Sequence, residues 1–308
     1  MKVQTFSSIG FEHGFSEFNW DIAYVGAGLD QRTLASIELA KTCSKSVVLA
    51  EFNIEQPDRL NISGVLKPLI ALEAELRNVS SLLLEATSLG TIEILFLLRA
   101  AKVAGLSSID CLYVEPLEYA SHVRLNSPWS REYSLSLGSR LDGVRGFSYK
   151  LSDLSPADTK FVTFLGYEGS RLAQACEQED LLVSWKQKIA VFGVPGYAPG
   201  WDMNSMANNI DCLSRGRGDF TTIRYCSASS VSNAYDLLTG IHNEGSDRGS
   251  HTVVAPFGTK PHGIATAMFL VDQSAYQASS LLYDHPARAK DRSTNVRRWH
   301  LYRIFLNE

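Results

Sequence analysis

The stretch Ala23–Ala35, AYVGAGLDQRTLA, joins an apolar strand-like run to a helix-like run through a glycine-rich turn with an acid and an arginine. The stretch Phe164–Ala173, FLGYEGSRLA, has the same character in the same order. Turns of this kind gather ligands in α/β proteins, because unpaired backbone N–H groups and a helix dipole point into the space beside the sheet. The two stretches predict two related strand–turn–helix units.

Four more pairs of segments follow these two turns, and they keep the same order in both halves of the chain. Preserved order favours an internal duplication over two unrelated α/β segments. The pairs are Ser46–Ala50 with Ile189–Gly193, Leu84–Thr91 with Val253–Lys260, Leu112–Pro116 with Leu282–Pro286, and Val144–Tyr149 with Val296–Tyr302.

Strand-like and helix-like runs alternate along the chain, which is typical of a mainly parallel sheet with helices on its faces. We therefore predict an α/β fold of two Rossmann-like parallel-sheet halves related by internal duplication. The first half covers 1–150, a Pro/Ser/Asp-rich linker covers 151–160, and the second half covers 161–308 with an insertion near 195–250. Predicted strands are 22–26, 46–51, 81–86, 109–114, 144–149, 161–165, 189–193, 221–225, 251–256, 280–283 and 299–306; predicted helices are 30–42, 66–77 and 91–104.

This layout resembles nucleotide-sensing Rossmann-like modules such as CARF domains, in which two copies form a composite pocket. The resemblance is one of layout across the chain, so it implies a ligand pocket between two halves and assigns no residue a role.

Composition narrows the functional classes. The chain has 308 residues and a formal net charge of −4, which argues against broad, sequence-independent nucleic-acid binding. It lacks an apolar run of the roughly 18 residues expected of a membrane-spanning helix, so no membrane association is expected. The five cysteines show no metal-ligand spacing, which predicts free thiols, a cytoplasmic location and no metal site.

The first turn offers Gly26, Gly28, Asp30 and Arg32 as ligand-binding candidates. A dinucleotide fingerprint is incomplete there, because Gln31 stands where G-x-G-x-x-G requires its third glycine. In the binding interpretation, the backbone N–H groups and Arg32 hold an anion. In the alternative, Asp30 only caps a helix and Arg32 pairs with a neighbouring acid.

The corresponding second turn offers Gly166, Glu168 and Arg171. The recurrence of the arginine is the reason to prefer the binding interpretation in both turns. If the duplication holds, Arg32 and Arg171 occupy equivalent places in the two halves.

The strongest anion-binding candidate is the turn Gly258, Thr259 and Lys260, where a buried strand ends and a helix begins near Pro261. Glycine allows a ligand close to the backbone, and Lys260 adds positive charge at a helix N-terminus. Thr91 occupies the matching Gly-Thr turn of the first half, where no lysine follows and the nearest charged residue is Glu93, two positions after the threonine. A plain helix cap is the alternative for both turns.

Three functions remain open from the sequence. The first is a regulatory protein that binds a nucleotide-like or other anionic small molecule in a cleft shared by the halves. The second is an enzyme for glycosidic or phosphoryl transfer at that cleft, with Asp30, Glu168 or Glu115 as acid or base. The third is a subunit that docks on a protein partner through the basic, aromatic run Arg288–Arg303. No motif identifies a cofactor or a reaction.

Overall fold

The computed structural model describes residues 1–9, 15, 17–124, 127–138, 141–178, 185, 187–214, 220–244, 250–274 and 278–307. The chain forms a mixed α/β structure of two compact units. The first unit comprises Met1–Ala120 and Ala289–Glu308, and the second comprises Ser121–Arg288. Strands and helices are numbered along the whole chain.

The first unit contains an eight-stranded mixed sheet and three helices. Its strands are β1 (Lys2–Ser8), β2 (Trp20–Val25), β3 (Ser44–Phe52), β4 (Arg59–Ile62), β5 (Val65–Pro68), β6 (Leu82–Glu85), β7 (Ser108–Tyr119) and β17 (Ser293–Phe305). Its helices are α1 (Gln31–Thr42), α2 (Leu69–Leu76) and α3 (Thr91–Ala104).

The strand order of this sheet is β1-β17-β7-β6-β2-β3-β4-β5. The four central strands β7, β6, β2 and β3 are mutually parallel, and two antiparallel strands lie on each side of them. Parallel strands need their crossover helices, and α1 and α3 supply two of these connections. One core cluster of this unit joins Trp20, Leu39, Leu83, Leu112 and Trp299, so it packs α1 against the sheet.

The second unit contains an all-parallel five-stranded sheet with the order β13-β12-β11-β14-β15. Its elements are β8 (Ser121–Arg124), β9 (Ser127–Tyr133), β10 (Ser136–Gly138), β11 (Thr159–Leu165), α4 (Gly169–Gln178), β12 (Gln187–Gly193), α5 (Trp201–Ser214), β13 (Thr222–Cys226), α6 (Val231–Asn243), β14 (His251–Pro256), α7 (Lys260–Gln273), β15 (Ser279–Leu281) and β16 (Ala287–Arg288). Strands β11, β12 and β14 are almost wholly buried, as expected of parallel strands covered on both faces.

Most predicted elements are confirmed, and α3 has the predicted bounds. Its end follows from Gly105, which adopts a left-handed conformation at φ 89° and caps the helix. The predicted strand at 144–149 is wrong, because Arg145–Phe147 form a turn in which Gly146 has φ 85°.

The C-terminal strand differs from the predicted organisation in its partner. We expected residues 299–306 to close the second half, yet β17 pairs antiparallel with β7 and belongs to the first unit. The chain therefore passes between the units after Ala120 and again before Ala289, while 151–160 lies inside the second unit. Strand pairing over such separations is set by tertiary contacts that local patterns do not encode.

No helix among the described residues is both long enough and apolar enough to span a membrane. The described residues also contain no cluster of three or more His, Cys, Asp or Glu side chains suited to a metal ion.

Candidate functional site

The carboxyl ends of β2 and β6 meet in the first unit. The backbone N–H of Gly26 donates to Ser88 Oγ at 2.7 Å. A Cβ at Gly26 would overlap the carbonyl oxygen of Ser88, so only glycine allows this approach. Gly28 is exposed beside Leu34.

Asp30 is a buried N-cap of α1. Its Oδ1 accepts from the backbone N–H of Thr33 at 2.9 Å, and its Oδ2 accepts from Ser293 Oγ at 2.6 Å. Burial alone would raise the pKa of Asp30, but Arg32, the hydrogen bonds from Ser293 and Thr33, and Arg292 together lower it. The carboxylate is thus charged and held by several partners, which supports the capping interpretation.

Arg32 is 3% exposed, and its guanidinium group contacts the protein itself. Its Nη1 donates to the carbonyl of Val114 at 2.8 Å, and its Nε donates to Ser293 Oγ at 3.2 Å. The Nη2 of Arg32 lies 3.6 Å from Asp30 Oδ2. Arg32 therefore links α1 to β7 and β17. These contacts favour the structural alternative over anion binding by Arg32.

Thr91 is the buried first residue of α3. Glu93, in the same helical turn, accepts from the backbone N–H of Phe52 at 3.0 Å and lies against Gly90. The negative charge of Glu93 interacts favourably with the positive N-terminal end of the dipole of α3, and it would repel an anion bound there. An anion site at Thr91 is therefore disfavoured by its own neighbour.

Two further buried acids at the same sheet edge were not among the predicted ligand-binding residues. Glu85 is fully buried and accepts from the backbone N–H groups of Thr87 and Ser88, at 2.8 and 2.9 Å. Glu115 accepts from His300 Nε2 at 2.7 Å, and both residues are 3% exposed. Each acid follows three apolar or aromatic residues of a buried strand, and that local pattern is a usable sequence signal for a buried polar site.

The carboxyl ends of β11 and β14 meet in the second unit. A Cβ at Gly166 would lie 2.5 Å from the carbonyl oxygen of Phe257, so the two turns touch through their backbones. Ser205 Oγ and Asn209 Nδ2, both from α5, donate to the Gly166 carbonyl at 3.0 and 2.9 Å. The turn at Gly166 is therefore fixed both by the turn at Phe257 and by α5.

Glu168 is engaged by a loop of its own unit. Its Oε1 accepts from the backbone N–H groups of Leu135 and Ser136, at 2.8 and 2.9 Å, and from Ser136 Oγ at 2.9 Å. This carboxylate anchors residues 135–136 against the turn.

Arg171 and Asp284 form a bidentate ion pair. Nε of Arg171 lies 2.5 Å from Oδ2 of Asp284, and Nη2 lies 2.6 Å from Oδ1. Burial alone would lower the pKa of Arg171, but the charge and hydrogen bonds of Asp284 outweigh this effect, so the pKa is raised above its ordinary value. Since Arg171 also donates to the Phe257 carbonyl at 3.2 Å, it braces the edge of the sheet.

The turn before α7 contains the remaining predicted residues. Thr259 Oγ1 donates to the Ala228 carbonyl at 2.6 Å, and the Thr259 N–H donates to His262 Nδ1 at 3.3 Å. Burial lowers the pKa of His262 to about 4, so its imidazole is neutral. Gly258 lies against His262 and Phe164, which leaves no room for a side chain. Lys260 is the half-buried first residue of α7.

The predicted residues thus fall into two groups, one in each unit: Gly26, Gly28, Asp30, Arg32 and Thr91 in the first, and Gly166, Glu168, Arg171, Gly258, Thr259 and Lys260 in the second. No protein-family model matches the chain, and a search of curated proteins finds no relative. The binding function is therefore argued from the geometry of these two groups.

Proposed function

We propose that the protein binds a nucleotide-like or other anionic small molecule at the carboxyl edge of the second unit's sheet. The observation that carries this proposal is the strand order β13-β12-β11-β14-β15, in which chain progression reverses between β11 and β14. Ligands of open α/β sheets bind outside the strand ends at such a reversal. Gly166, Gly258 and Lys260 all lie there.

Charge supports an anionic ligand at this edge. Lys260 begins α7, so its ammonium group adds to the positive end of the helix dipole. Asp284 is the acid that could repel an anion, and its charge is compensated by Arg171. Glu168 is similarly engaged by two backbone N–H groups.

We also propose that both units are Rossmann-like and arose by internal duplication. The order β3-β2-β6-β7 in the first unit corresponds to β12-β11-β14-β15 in the second. In both, the glycine that follows the first parallel strand packs on the turn before a Gly-Thr helix start, through Gly26 on Ser88 and through Gly166 on Phe257. The cleft shared by the halves stays a prediction.

The segments that lie beside β15 and β7, the last parallel strands of the two units, also support duplication. Segment 142–148 lies beside β15, with Asp142 opposite Tyr283 and the Leu281 N–H donating to Phe147. Strand β17 lies beside β7 in the same position. This similarity supports the pairing of Val144–Tyr149 with Val296–Tyr302. Val144–Tyr149, from the predicted first half, lies in the second unit, and Val296–Tyr302, from the predicted second half, lies in the first unit.

The two rival functions receive less support. Asp30 and Glu168 are engaged as acceptors of structural hydrogen bonds. In the basic C-terminal run, Trp299 and Tyr302 are buried and Arg303 forms a bidentate pair with Asp110, so much of the run is sheet interior. A cytoplasmic location remains part of the proposal, supported by five free thiols.

Thermal unfolding with nucleoside monophosphates, diphosphates and cyclic dinucleotides tests the binding proposal. At least one class should raise Tm saturably, because a ligand at 100 times its Kd stabilises the native state by about 2.7 kcal/mol. Lys260→Ala should weaken that binding about tenfold or more. Lys102→Ala changes another half-buried lysine, near the end of α3, and should leave binding unchanged. No shift with any class at millimolar concentration would contradict the proposal.

A further inference from the structure

Three side chains of the first unit form a continuous hydrogen-bonded line across adjacent strands. The Oγ of Ser7, on β1, lies 2.8 Å from Nδ1 of His300, and Nε2 of His300 lies 2.7 Å from Oε1 of Glu115. Ser7 and His300 are directly opposed in the β1–β17 pairing. Glu115 follows Tyr113, the β7 residue opposite His300, by two positions, and so it lies on the same sheet face.

We propose that Ser7, His300 and Glu115 form a nucleophile–base–acid array that hydrolyses small esters through an acyl-serine. This activity goes beyond the proposed binding function and lies in the other unit. The array meets the geometric criterion for an activated serine, in which nucleophile, base and orienting acid are each within hydrogen-bond distance of the next.

The direction of the hydrogen bonds follows from the acid. A carboxylate oxygen accepts, so the imidazole tautomer that satisfies this contact carries its proton on Nε2. Nδ1 then has a lone pair and accepts from the Ser7 hydroxyl. This is the protonation state that a general base needs before it removes the serine proton.

Burial and stacking hold the base in place while the nucleophile remains accessible. His300 and Glu115 are each 3% exposed, whereas Ser7 is exposed. The His300 ring is nearly parallel to the rings of Tyr113 and Tyr302, with centroid distances of 6.4 and 5.7 Å and interplanar angles of 14° and 8°. The ring is therefore fixed in orientation, and a substrate reaches Ser7 from solvent.

The proposal also uses the position of β1 at the edge of the sheet formed by the described residues. Alternate N–H groups of an edge strand point away from its neighbour, and such donors stabilise the oxyanion of an acyl-transfer intermediate. In the step itself, Ser7 Oγ bonds to the ester carbon and its proton moves to His300 Nδ1. The leaving alkoxide departs with that proton as an alcohol. Water then attacks the acyl carbon and gives a proton to His300 Nδ1, the bond to Ser7 Oγ breaks, and His300 returns the proton to Ser7 as the carboxylic acid leaves.

A small alkyl fluorophosphonate tests the array, because an activated serine displaces fluoride and gains a stable adduct detectable by peptide mass spectrometry. Wild-type protein should be labelled on Ser7, and Ser7→Ala should lose the adduct. Ser8→Ala is the matched control, since Ser8 neighbours Ser7 on β1 but points to the opposite face. It should be labelled at the wild-type rate.

Glu115→Gln separates catalysis from a structural role. A glutamine amide can donate to Nε2 and so place the imidazole proton on Nδ1, where it blocks base function. Labelling of Ser7 should fall about 100-fold while the circular dichroism spectrum is retained. p-Nitrophenyl acetate should give one equivalent of p-nitrophenolate rapidly from wild type but not from Ser7→Ala. Absence of Ser7 labelling in folded wild type, or labelling of Ser7 no faster than of Ser8, would overturn the proposal.

Discussion

The two glycine-rich turns look alike in sequence, but their arginines are held in different ways. Arg32 is almost fully buried and satisfies a backbone carbonyl, a serine and the N-cap acid of its own helix. Arg171 forms a bidentate pair with Asp284, an acid that follows the last parallel strand. Similar local sequence therefore specifies an arginine brace in each unit and leaves its partner to the tertiary fold.

Removal of Arg171 should give the largest effect, because it leaves Asp284 buried without its counter-charge. We expect Arg171→Met to cost the second unit about 3–5 kcal/mol. Denaturant unfolding combined with hydrogen exchange of β11 and β14 measures this loss. Arg171→Met with Asp284→Leu should recover most of it; a single-variant loss below about 1 kcal/mol would show that the pair is not a brace.

The next largest effect should come from lowering the pH, which should destabilise the second unit before the first. The pKa of His262 is lowered to about 4 by burial, so the unfolded second unit binds the extra proton more readily. The free energy of unfolding of the second unit is therefore unaffected by His262 above about pH 6.5 and decreases as pH falls towards 4. The decrease is about 3 kcal/mol over that interval, at about 1.36 kcal/mol per pKa unit.

Asp30 in the first unit has a pH dependence of the same sign, but it begins at a lower pH. Its pKa is lowered, so the stability it contributes is present above its unfolded pKa and is lost only as pH falls below that value. Hydrogen exchange at pH 7 and 4.5, corrected for intrinsic rates, should show selective weakening of α7 and β14. Equal weakening of α1 and α7 would contradict this difference.

Replacement of Arg32 should have a smaller effect than replacement of Arg171. Asp30 keeps its hydrogen bonds from Thr33 and Ser293 and the nearby charge of Arg292, so Arg32→Met removes a hydrogen bond to the Val114 carbonyl without leaving Asp30 uncompensated. We expect a loss of about 2–3 kcal/mol in the first unit, measured by denaturant unfolding. An effect larger than that of Arg171→Met would reverse the comparison.

Local patterns in the sequence predicted the regular elements well where periodicity and end signals agree. Helix α3 is one example, since an apolar run ends at a glycine. The hairpin β4–β5 was missed although Ser63-Gly64, with φ 49° and 91°, is a two-residue turn signal between short apolar runs. The mixed α/β class follows from such signals alone.

The contacts of the candidate sites were harder to predict because they join distant parts of the chain. Ser7 and His300 are 293 positions apart, and Arg32 and Ser293 are 261 apart. Glu168 is the acid nearest to Arg171 in the sequence of the turn, yet Glu168 anchors residues 135–136 and Asp284 is the ion-pair partner of Arg171. No local spacing encodes which strand brings the partner.

The proposed binding edge is tested most directly by hydrogen exchange of the whole protein with and without millimolar ADP, cyclic dinucleotide or AMP. We predict that at least one of them protects residues 166–171 and 257–262 together, and that Lys260→Ala abolishes this protection while Lys102→Ala retains it. Absence of protection in the second unit with all three, or protection confined to the first unit, would contradict the proposal.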